Sequence, residues 1–332
     1  MDLLVSYTLN SQLWVTILWG QHSESGHELL CLEDQNQAWQ LRLPLAHEPL
    51  VFDYNYDYVS DLFLVSPEGN RTVLVFSRAR ANYSAVNLTT DRSDPLKAAH
   101  SNAHFDMNGD GLPDLMLTTR SGLEIYRRKA SDREDNFVFQ THIPWPSEIS
   151  EAGCPVDACV GQLVLADFDL SGQIDMVLPV CYDTLCKSSS LFLIKVSELW
   201  EAKAWNWVPV SLDLGDYHFY PPAPQSNLLQ HLAPRAGDVD LDGYADLLVP
   251  VQGSSNKPET HLLLNRPCSS CDAPFTRKFE IDPSFMEGMS VASACFYDII
   301  SLVGCEQFLF KCKNNIYCTK YLFLKLIYVY LY

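Results

Sequence analysis

Residues 238–250 read DVDLDGYADLLVP, an acidic nine-residue loop that runs directly into an apolar strand. Acids stand at loop positions 1, 3, 5 and 9, a spacing that lets their oxygen atoms converge on a hard cation. Glycine at position 6 permits the left-handed turn that wraps the chain around such an ion. Oxygen donors without His or Cys favour Ca²⁺ over the transition metals. The stretch therefore predicts a calcium loop at the entrance of a β-strand.

The same pattern occurs three more times, at residues 53–65 (DYNYDYVSDLFLV), 106–118 (DMNGDGLPDLMLT) and 167–179 (DFDLSGQIDMVLP). Four residues depart from it: Asn55 and Asn108 replace the position 3 acid with an amide oxygen donor, Tyr58 replaces the glycine of the first loop, and Ser171 replaces an acid of the third. The predicted metal ligands are Asp53, Asn55, Asp57, Asp61, Asp106, Asn108, Asp110, Asp114, Asp167, Asp169, Ser171, Asp175, Asp238, Asp240, Asp242 and Asp246. Four copies indicate a repeat architecture rather than one isolated site.

Two other interpretations of these loops compete with the calcium interpretation. An EF-hand needs Glu at position 12 and helices on both sides. Position 12 is instead Leu64, Leu117, Leu178 or Val249, and the flanking apolar runs are too short for helices. In the second alternative the loops are solvated Asp-Gly turns of β-hairpins without a metal. Four matching acid patterns favour the metal, while the turn interpretation stays open for each single loop.

Each loop and its strand are followed by a second apolar segment, at residues 73–76, 123–126, 191–194 and 261–264. Short apolar strands separated by turn residues predict antiparallel hairpins. Repeat units of about 50–70 residues with several short strands fit the four-stranded blades of a β-propeller. We therefore predict an all-β fold, an incomplete β-propeller ring of about five blades with calcium-binding loops.

The two ends of the chain differ from the repeats. Residues 2–5 and 14–19 repeat the strand pair, so Asp2 is expected to be position 9 of a loop whose first eight positions are missing. Residues 307–332 contain no Gly, Pro or acid and have the composition of translated AT-rich DNA. We expect residues 1–298 to form the partial propeller and residues 299–332 to be a non-native tail. An amphipathic tail is the alternative.

Composition limits the classes of function. The chain has 41 acidic residues against 23 basic ones and a net charge of −18, which argues against nucleic acid and anionic membrane surfaces as partners. A hydrophobic fraction of 47% is sufficient for a buried core. The chain shows neither the pattern of a signal peptide nor an apolar stretch long enough for a transmembrane helix.

Six of the eleven cysteines form close pairs, Cys154/Cys159, Cys181/Cys186 and Cys268/Cys271. Their turn-rich surroundings predict disulfides in an oxidising compartment. These spacings also occur in zinc sites, and pairing between neighbouring loops is a further alternative that the sequence leaves open.

Three N-glycosylation sequons lie close together, at Asn70, Asn82 and Asn87. A single sequon is weak evidence, because the pattern arises often by chance. Three sequons in one polar connector, in a chain rich in paired cysteines, predict a protein that passes through the secretory pathway and carries these sequons on its surface.

The loop motif before a short strand resembles the FG-GAP repeats of integrin α-subunit propellers. Other segments resemble the T-cell immunomodulatory protein family, which includes linkin: residues 161–169, 178–186, 207–210, 237–246 and 263–271. The resemblance covers roughly residues 1–298. Because it includes cysteine-containing segments, it is more specific than a match to the loop motif alone.

This resemblance implies a type I membrane glycoprotein whose extracellular propeller precedes a β-rich domain and one transmembrane helix. The chain is then expected to be a fragment on the extracellular side of the cell membrane, with its anchoring helix outside this sequence. The family also implies cell adhesion or T-cell modulation through a cell-surface or extracellular protein ligand.

Catalysis needs a nucleophile with a base, or a metal with an open position and a general base. His100 and His104 flank the second loop, but nothing in the sequence pairs them with a nucleophile, so they are expected to be surface histidines. Four equivalent loops suit a scaffold better than a single active site. We predict a non-enzymatic recognition module. The alternatives are a secreted lectin-like propeller and a calcium-dependent hydrolase that carries an FG-GAP module.

Overall fold

The protein is represented by a computed structural model, in which the chain forms two compact units, Met1–Ile143 and Pro144–Tyr332. β-Strands predominate in both units, as predicted. The residues described are 3–9, 12–18, 20–21, 31–32, 39–45, 49–66, 68–77, 82–88, 94–97, 101–129, 137–196, 206–221, 234–254, 258–271, 275–282, 296–298 and 325–327.

The first unit contains one three-stranded sheet and two four-stranded sheets. The three-stranded sheet joins β1 (Leu3–Leu9), β2 (Gln12–Leu18) and β5 (Trp39–Leu45), while β3 (Gly20–Gln21) pairs with β4 (Cys31–Leu32). The four-stranded sheets each follow chain order. Their strands are β6 (Leu50–Phe52), β7 (Asp61–Val65), β8 (Arg71–Phe76) and β9 (Tyr83–Asn87), then β10 (Ala103–Phe105), β11 (Asp114–Thr118), β12 (Gly122–Arg128) and β13 (Phe137–Pro144).

The second unit begins with two short helices, α1 (Ser147–Ala152) and α2 (Val156–Cys159), and continues as a nine-stranded sheet. Two antiparallel halves make up this sheet, and the parallel pairing of β17 with β22 joins them. One half contains β14 (Val164–Ala166), β15 (Asp175–Cys181), β16 (Ser189–Lys195) and β17 (Val208–Asp213). The other contains β18 (His218–Phe219), β19 (Arg235–Gly237), β20 (Asp246–Gln252), β21 (Pro258–Pro267) and β22 (Arg277–Asp282). A separate pair joins β23 (Phe296–Asp298) and β24 (Lys325–Ile327).

The strand that follows each acidic loop is buried at every position, in β7, β11, β15 and β20. This burial explains why these strands are continuously apolar rather than alternating, because both faces of the sheet are covered there. The outermost strand β9 is exposed along most of its length. In the second unit one core joins both halves of the sheet, with Phe168 and Phe279 fully buried and their rings 5.7 Å apart.

The predicted loop-and-hairpin repeat is present in four copies, as β7–β8, β11–β12, β15–β16 and β20–β21. The short helices α1 and α2 were not predicted. Apart from β24, residues 299–332 lie outside the described residues, so the proposed domain boundary at residue 298 stays a prediction. Over the part of the chain that the structure describes, no helix has the length and apolar character needed to cross a membrane.

Candidate metal centre

The four acidic loops share one backbone conformation. Positions 4 and 6 have positive φ values, between 59° and 93°, in all of them. Glycine at position 6 of three loops adopts this conformation without strain, as predicted, whereas Tyr58 adopts it at φ 65° with its side chain 95% exposed. The positive φ at position 4 was not predicted. The residues that adopt it there are Tyr56, Gly109, Leu170 and Leu241.

The first aspartate of each loop organises the turn. In the second loop, Asp106 accepts hydrogen bonds from the backbone N–H groups of Gly109 and Gly111 over 2.8 and 2.7 Å. The N–H of position 6 donates to the first aspartate in every loop, over 2.7–3.2 Å. Hydrogen bonds from the backbone therefore orient this carboxylate towards the inside of the loop.

The closing aspartate of each loop is at most 1% exposed. Its Oδ2 atom accepts the N–H of loop position 2 over 2.8–3.2 Å. In three loops its Oδ1 atom also accepts an N–H at the end of the next strand, over 2.8–2.9 Å. We call this strand residue the return position; it is Phe76, Arg128 or Asn265. The closing aspartate thus fastens the loop to its hairpin.

The third loop departs from this pattern. Oδ1 of Asp175 is buried without a hydrogen-bond partner, because the Val196 N–H donates instead to the carbonyl of Ile174 over 3.3 Å. An unpartnered buried carboxylate oxygen is unfavourable unless a proton or a cation compensates it. Burial, and then the charge of Asp169, raise the pKa of Asp175 to about 7. Burial likewise raises the pKa of Asp114 to about 6.

Two sets of three carboxylates converge among the described residues. In each set one oxygen of every carboxylate lies within 4.8 Å of the others, so either set could hold a metal ion. The sets are Asp167, Asp169 and Asp175 in the third loop and Asp238, Asp240 and Asp246 in the fourth. The metal-binding role of the position 5 residues Ser171 and Asp242 stays a prediction.

The first and second loops carry Asn at position 3, and within the described residues they contain no comparable set of three acids. In the second loop the Asn108 amide donates to Asp110 Oδ2 over 3.0 Å, and its oxygen accepts the Asp110 N–H over 2.9 Å. Asn55 and Asp57 make the same pair of contacts in the first loop. The metal-binding role of these two loops stays a prediction.

Two side chains that were not predicted connect the loops to the following repeat. The Arg128 guanidinium donates to the carbonyl of Tyr54, which is position 2 of the preceding loop, and lies 3.8 Å over the ring of Tyr56. The Asn265 amide donates to the carbonyl of Phe168 over 2.9 Å, again at position 2 of the preceding loop. Both residues occupy the return position, where only a polar side chain can make this link.

His104 is partly buried, which corrects the expected surface placement. Its ring centre lies 4.7 Å from that of Phe52, and burial together with the charge of Arg128 lowers its pKa to about 4. His100 lies outside the described residues.

The close cysteine pairs form disulfides. Cα–Cα separations are 6.1 Å for Cys154–Cys159, 4.8 Å for Cys181–Cys186 and 5.4 Å for Cys268–Cys271. Pairing within each loop therefore replaces the alternatives of zinc binding and pairing between loops.

The sequon residues Asn70, Asn82 and Asn87 are exposed and surround the β8–β9 hairpin. The Thr72 hydroxyl donates to Oδ1 of Asn87 over 3.2 Å. This contact uses the Asn87 oxygen and not its nitrogen, which is the atom that carries an N-linked glycan.

Comparison with solved structures gave weak likenesses. The NanB sialidase of Streptococcus pneumoniae matches 75% of this chain and 34% of its own, at 12% identity and a TM-score of 0.34. A mutant of AofleA from Arthrobotrys oligospora matches 82% and 79%, at 9% identity and a TM-score of 0.33. Such TM-scores are too low to establish a shared fold.

Sequence comparison is more informative, although no protein-family profile matches the chain. T-cell immunomodulatory protein of Homo sapiens is 27% identical over 296 residues, which cover 84% of this chain and 44% of that protein. Linkin of Caenorhabditis elegans is 24% identical over 208 residues, which cover 59% and 31%. The chain thus spans less than half the length of these relatives. This similarity confirms the predicted resemblance of the chain to the family of T-cell immunomodulatory protein and linkin.

Proposed function

We propose that the chain is a calcium-stabilised, non-enzymatic recognition module that acts outside the cell. The observation that carries the proposal is the acid set of Asp167, Asp169 and Asp175, in which a buried oxygen of Asp175 has no hydrogen-bond partner. Three carboxylates and no nitrogen or sulfur donor suit Ca²⁺, a hard cation with oxygen ligands. When bound, the ion would neutralise the converging charges and hold the loop in place. Asp238, Asp240 and Asp246 form the second such site.

The proposed architecture is a partial β-propeller of FG-GAP-type blades. It is supported by four repeats in which an acidic loop leads into a fully buried strand and then into antiparallel partners. Radial repetition of short antiparallel sheets is the arrangement of propellers. Residues 1–298 would supply about five blades of the ring.

The proposed location is the extracellular side of the cell membrane, in a type I membrane glycoprotein. Three disulfides support an oxidising compartment, and three exposed sequons support passage through the secretory pathway. The propeller would then face outward and present its loops to a protein partner.

A contact between Ser121 and His142 is the arrangement that most resembles catalytic machinery within the described residues. The Ser121 hydroxyl lies 2.9 Å from His142 Nε2 but donates its proton to Asp94 Oδ2 over 2.7 Å. A hydroxyl that donates to a carboxylate is not activated by the histidine, which would have to accept that proton. Ser121 is therefore not a nucleophile in this geometry.

The relatives named T-cell immunomodulatory protein point to modulation of immune cells, and we propose that role, with cell adhesion, for this chain. The test is binding of the purified chain to T cells in about 1 mM Ca²⁺ and in chelator. We expect saturable binding that chelation weakens. Binding that is equal in both conditions would remove the role of the loops. Glycan-specific binding would instead favour a lectin, and substrate turnover a hydrolase.

A further inference from the structure

Three of the acidic loops contact a basic side chain from the strand that returns from their own hairpin. Lys195 Nζ contacts Asp169 Oδ2 in the third loop. Arg266 Nη1 lies 2.8 Å from Asp240 Oδ2 in the fourth loop, and Arg127 Nη2 lies 3.1 Å from Asp110 Oδ2 in the second. In each case the cation contacts an acid at position 3 or 5, where the motif predicts a metal ligand.

We propose that Lys195 and Arg266 are internal competitors of the metal, each occupying a ligand oxygen that Ca²⁺ would require. The inference rests on the proposed calcium binding and adds the residues that set its affinity. A calcium ligand oxygen lies about 2.3–2.6 Å from the ion. An ammonium group in contact with that same oxygen would face a doubly charged ion within a few ångströms. Their repulsion requires Lys195 to withdraw before the ion can occupy the set.

The third loop carries the argument furthest, since two independent observations meet there. Asp175 Oδ1 is buried without a hydrogen-bond partner, so it needs a proton or a cation to compensate it. Lys195 stands directly opposite Asp175 in the β15–β16 register, so its ammonium group reaches the same acid set from the neighbouring strand. Three carboxylates with one lysine retain an excess of negative charge, so the lysine compensates the set only in part.

The two competitors should differ in strength because their exposure differs. The side chains of the Lys195–Asp169 pair are 16% and 18% exposed, against 38% and 27% for Arg266 and Asp240. Water screens the more exposed pair more effectively. Loss of Lys195 should therefore affect metal affinity more than loss of Arg266.

The first test is calorimetric titration of Ca²⁺ into the wild-type chain and the Lys195→Gln variant. Glutamine keeps most of the side-chain length and removes the charge. We expect Lys195→Gln to bind one ion about three- to tenfold more tightly, and Arg266→Gln to show a smaller gain. The matched control is Lys187→Gln, which removes an exposed lysine from the far end of the same hairpin and should leave affinity unchanged.

The outcomes separate this inference from the proposed function. Absence of calcium binding by the wild type and by Lys195→Gln at about 10 mM would overturn the proposed function and this inference with it. Wild-type binding with an unchanged affinity in Lys195→Gln would overturn only the competition.

A second measurement does not depend on any variant. The wild-type chain is acetylated briefly with an amine-reactive reagent, and the modified lysines are quantified by mass spectrometry. We expect calcium to increase acetylation of Lys195 severalfold while leaving Lys187 unchanged, since the displaced ammonium group loses its carboxylate partner. Equal acetylation of Lys195 in calcium and in chelator would contradict the proposal that calcium displaces its ammonium group from the acid set.

Discussion

A buried carboxylate whose pKa is raised on folding stabilises the protein only while it is protonated. The pKa of Asp175 rises from 3.8 to about 7 on folding, mainly because the group is buried. Its stabilising contribution is therefore complete below about pH 3.8 and is lost as the pH rises through about 7. In chelator at pH 7.5, Asp175→Asn should increase the free energy of unfolding by an amount on the order of 2–4 kcal/mol and so raise the melting temperature. The gain should vanish towards pH 4.

Thermal melting across pH, in chelator, provides the measurement for Asp175→Asn. The control is Asp183→Asn in the same unit, where burial is outweighed by backbone N–H donors such as that of Ser188, so that the pKa is lowered. That variant should have the opposite sign and lose stability at pH 7.5. A gain for Asp175→Asn that does not depend on pH would show that charge burial is not its cause.

Removal of a metal ligand should matter only when the metal is available. Asp240→Ala should lower the melting temperature in about 1 mM Ca²⁺, because one site contributes on the order of 0.4–1.4 kcal/mol at that concentration. In chelator the variant loses the partly exposed Arg266 pair and the hydrogen bond that the Asp242 N–H donates to Asp240 Oδ1 over 3.3 Å, a smaller loss of about 1 kcal/mol or less. Melting curves in both solutions decide the matter, and equal losses would reject Asp240 as a ligand.

The spacing of the acids could be read from the sequence because ligand position and turn geometry are both local. The hydrogen bond by which the closing aspartate fastens the loop to its hairpin could not be read from the sequence. Its Oδ1 partner is 14 to 19 residues away in the chain. The left-handed conformation at position 4 was also hidden, because three of four loops have a large side chain there. The basic side chains that contact the loops, such as Lys195 and Arg266, could not be predicted either, because they lie on a paired strand that is distant in sequence.

At the scale of elements, the return position links consecutive repeats. The Asn265 amide donates to the carbonyls of Phe168 and Ala245, and its oxygen accepts a hydrogen bond from Arg277 over 2.7 Å. All of these contacts are buried or partly buried. Asn265→Ala would leave several polar groups without partners and should cost about 2–4 kcal/mol of unfolding free energy.

Denaturant unfolding of Asn265→Ala and of Asn206→Ala measures this link. Asn206 is exposed in the same unit, so its removal should change stability by no more than about 0.5 kcal/mol. A third variant, Asn265→Asp, keeps the acceptor for Arg277 but loses the donor to Phe168. If Asn265→Ala were as stable as the wild type, the link between repeats would carry no stability.

The hairpins were predictable as elements because their strands are continuously apolar and separated by turn residues. The helices α1 and α2 were not predicted, although prolines precede both and Gly153, at φ 68°, ends the first. Proline before a helix and glycine after it are the usual boundary signals. At six and four residues the helices are too short to show an amphipathic period, which explains why the apolar pattern did not reveal them.

At the scale of the whole molecule, the three disulfides fit an oxidising compartment. The bonded cysteines are separated by five, five and three residues, so each bond closes a short loop. A short closed loop is worth about 2 kcal/mol in the chain-entropy account. Protein secreted from eukaryotic cells should show all three bonds in unreduced peptides, and reduction should lower the melting temperature without unfolding the chain at room temperature. Free thiols at these positions would contradict the extracellular assignment.

The backbone strain at loop position 4 offers a way to separate durability from recognition. Leu241 holds φ 63° with its side chain 69% exposed, so the fold gains little from the leucine and bears the strain. Leu241→Gly should raise unfolding free energy by about 0.5–1 kcal/mol, and Leu241→Ala, which keeps the strain, should not. A more heat-resistant Leu241→Gly chain that binds cells less well would locate the recognition surface at the loop tip. Unchanged binding would make the same substitution a simple means of producing a longer-lived reagent.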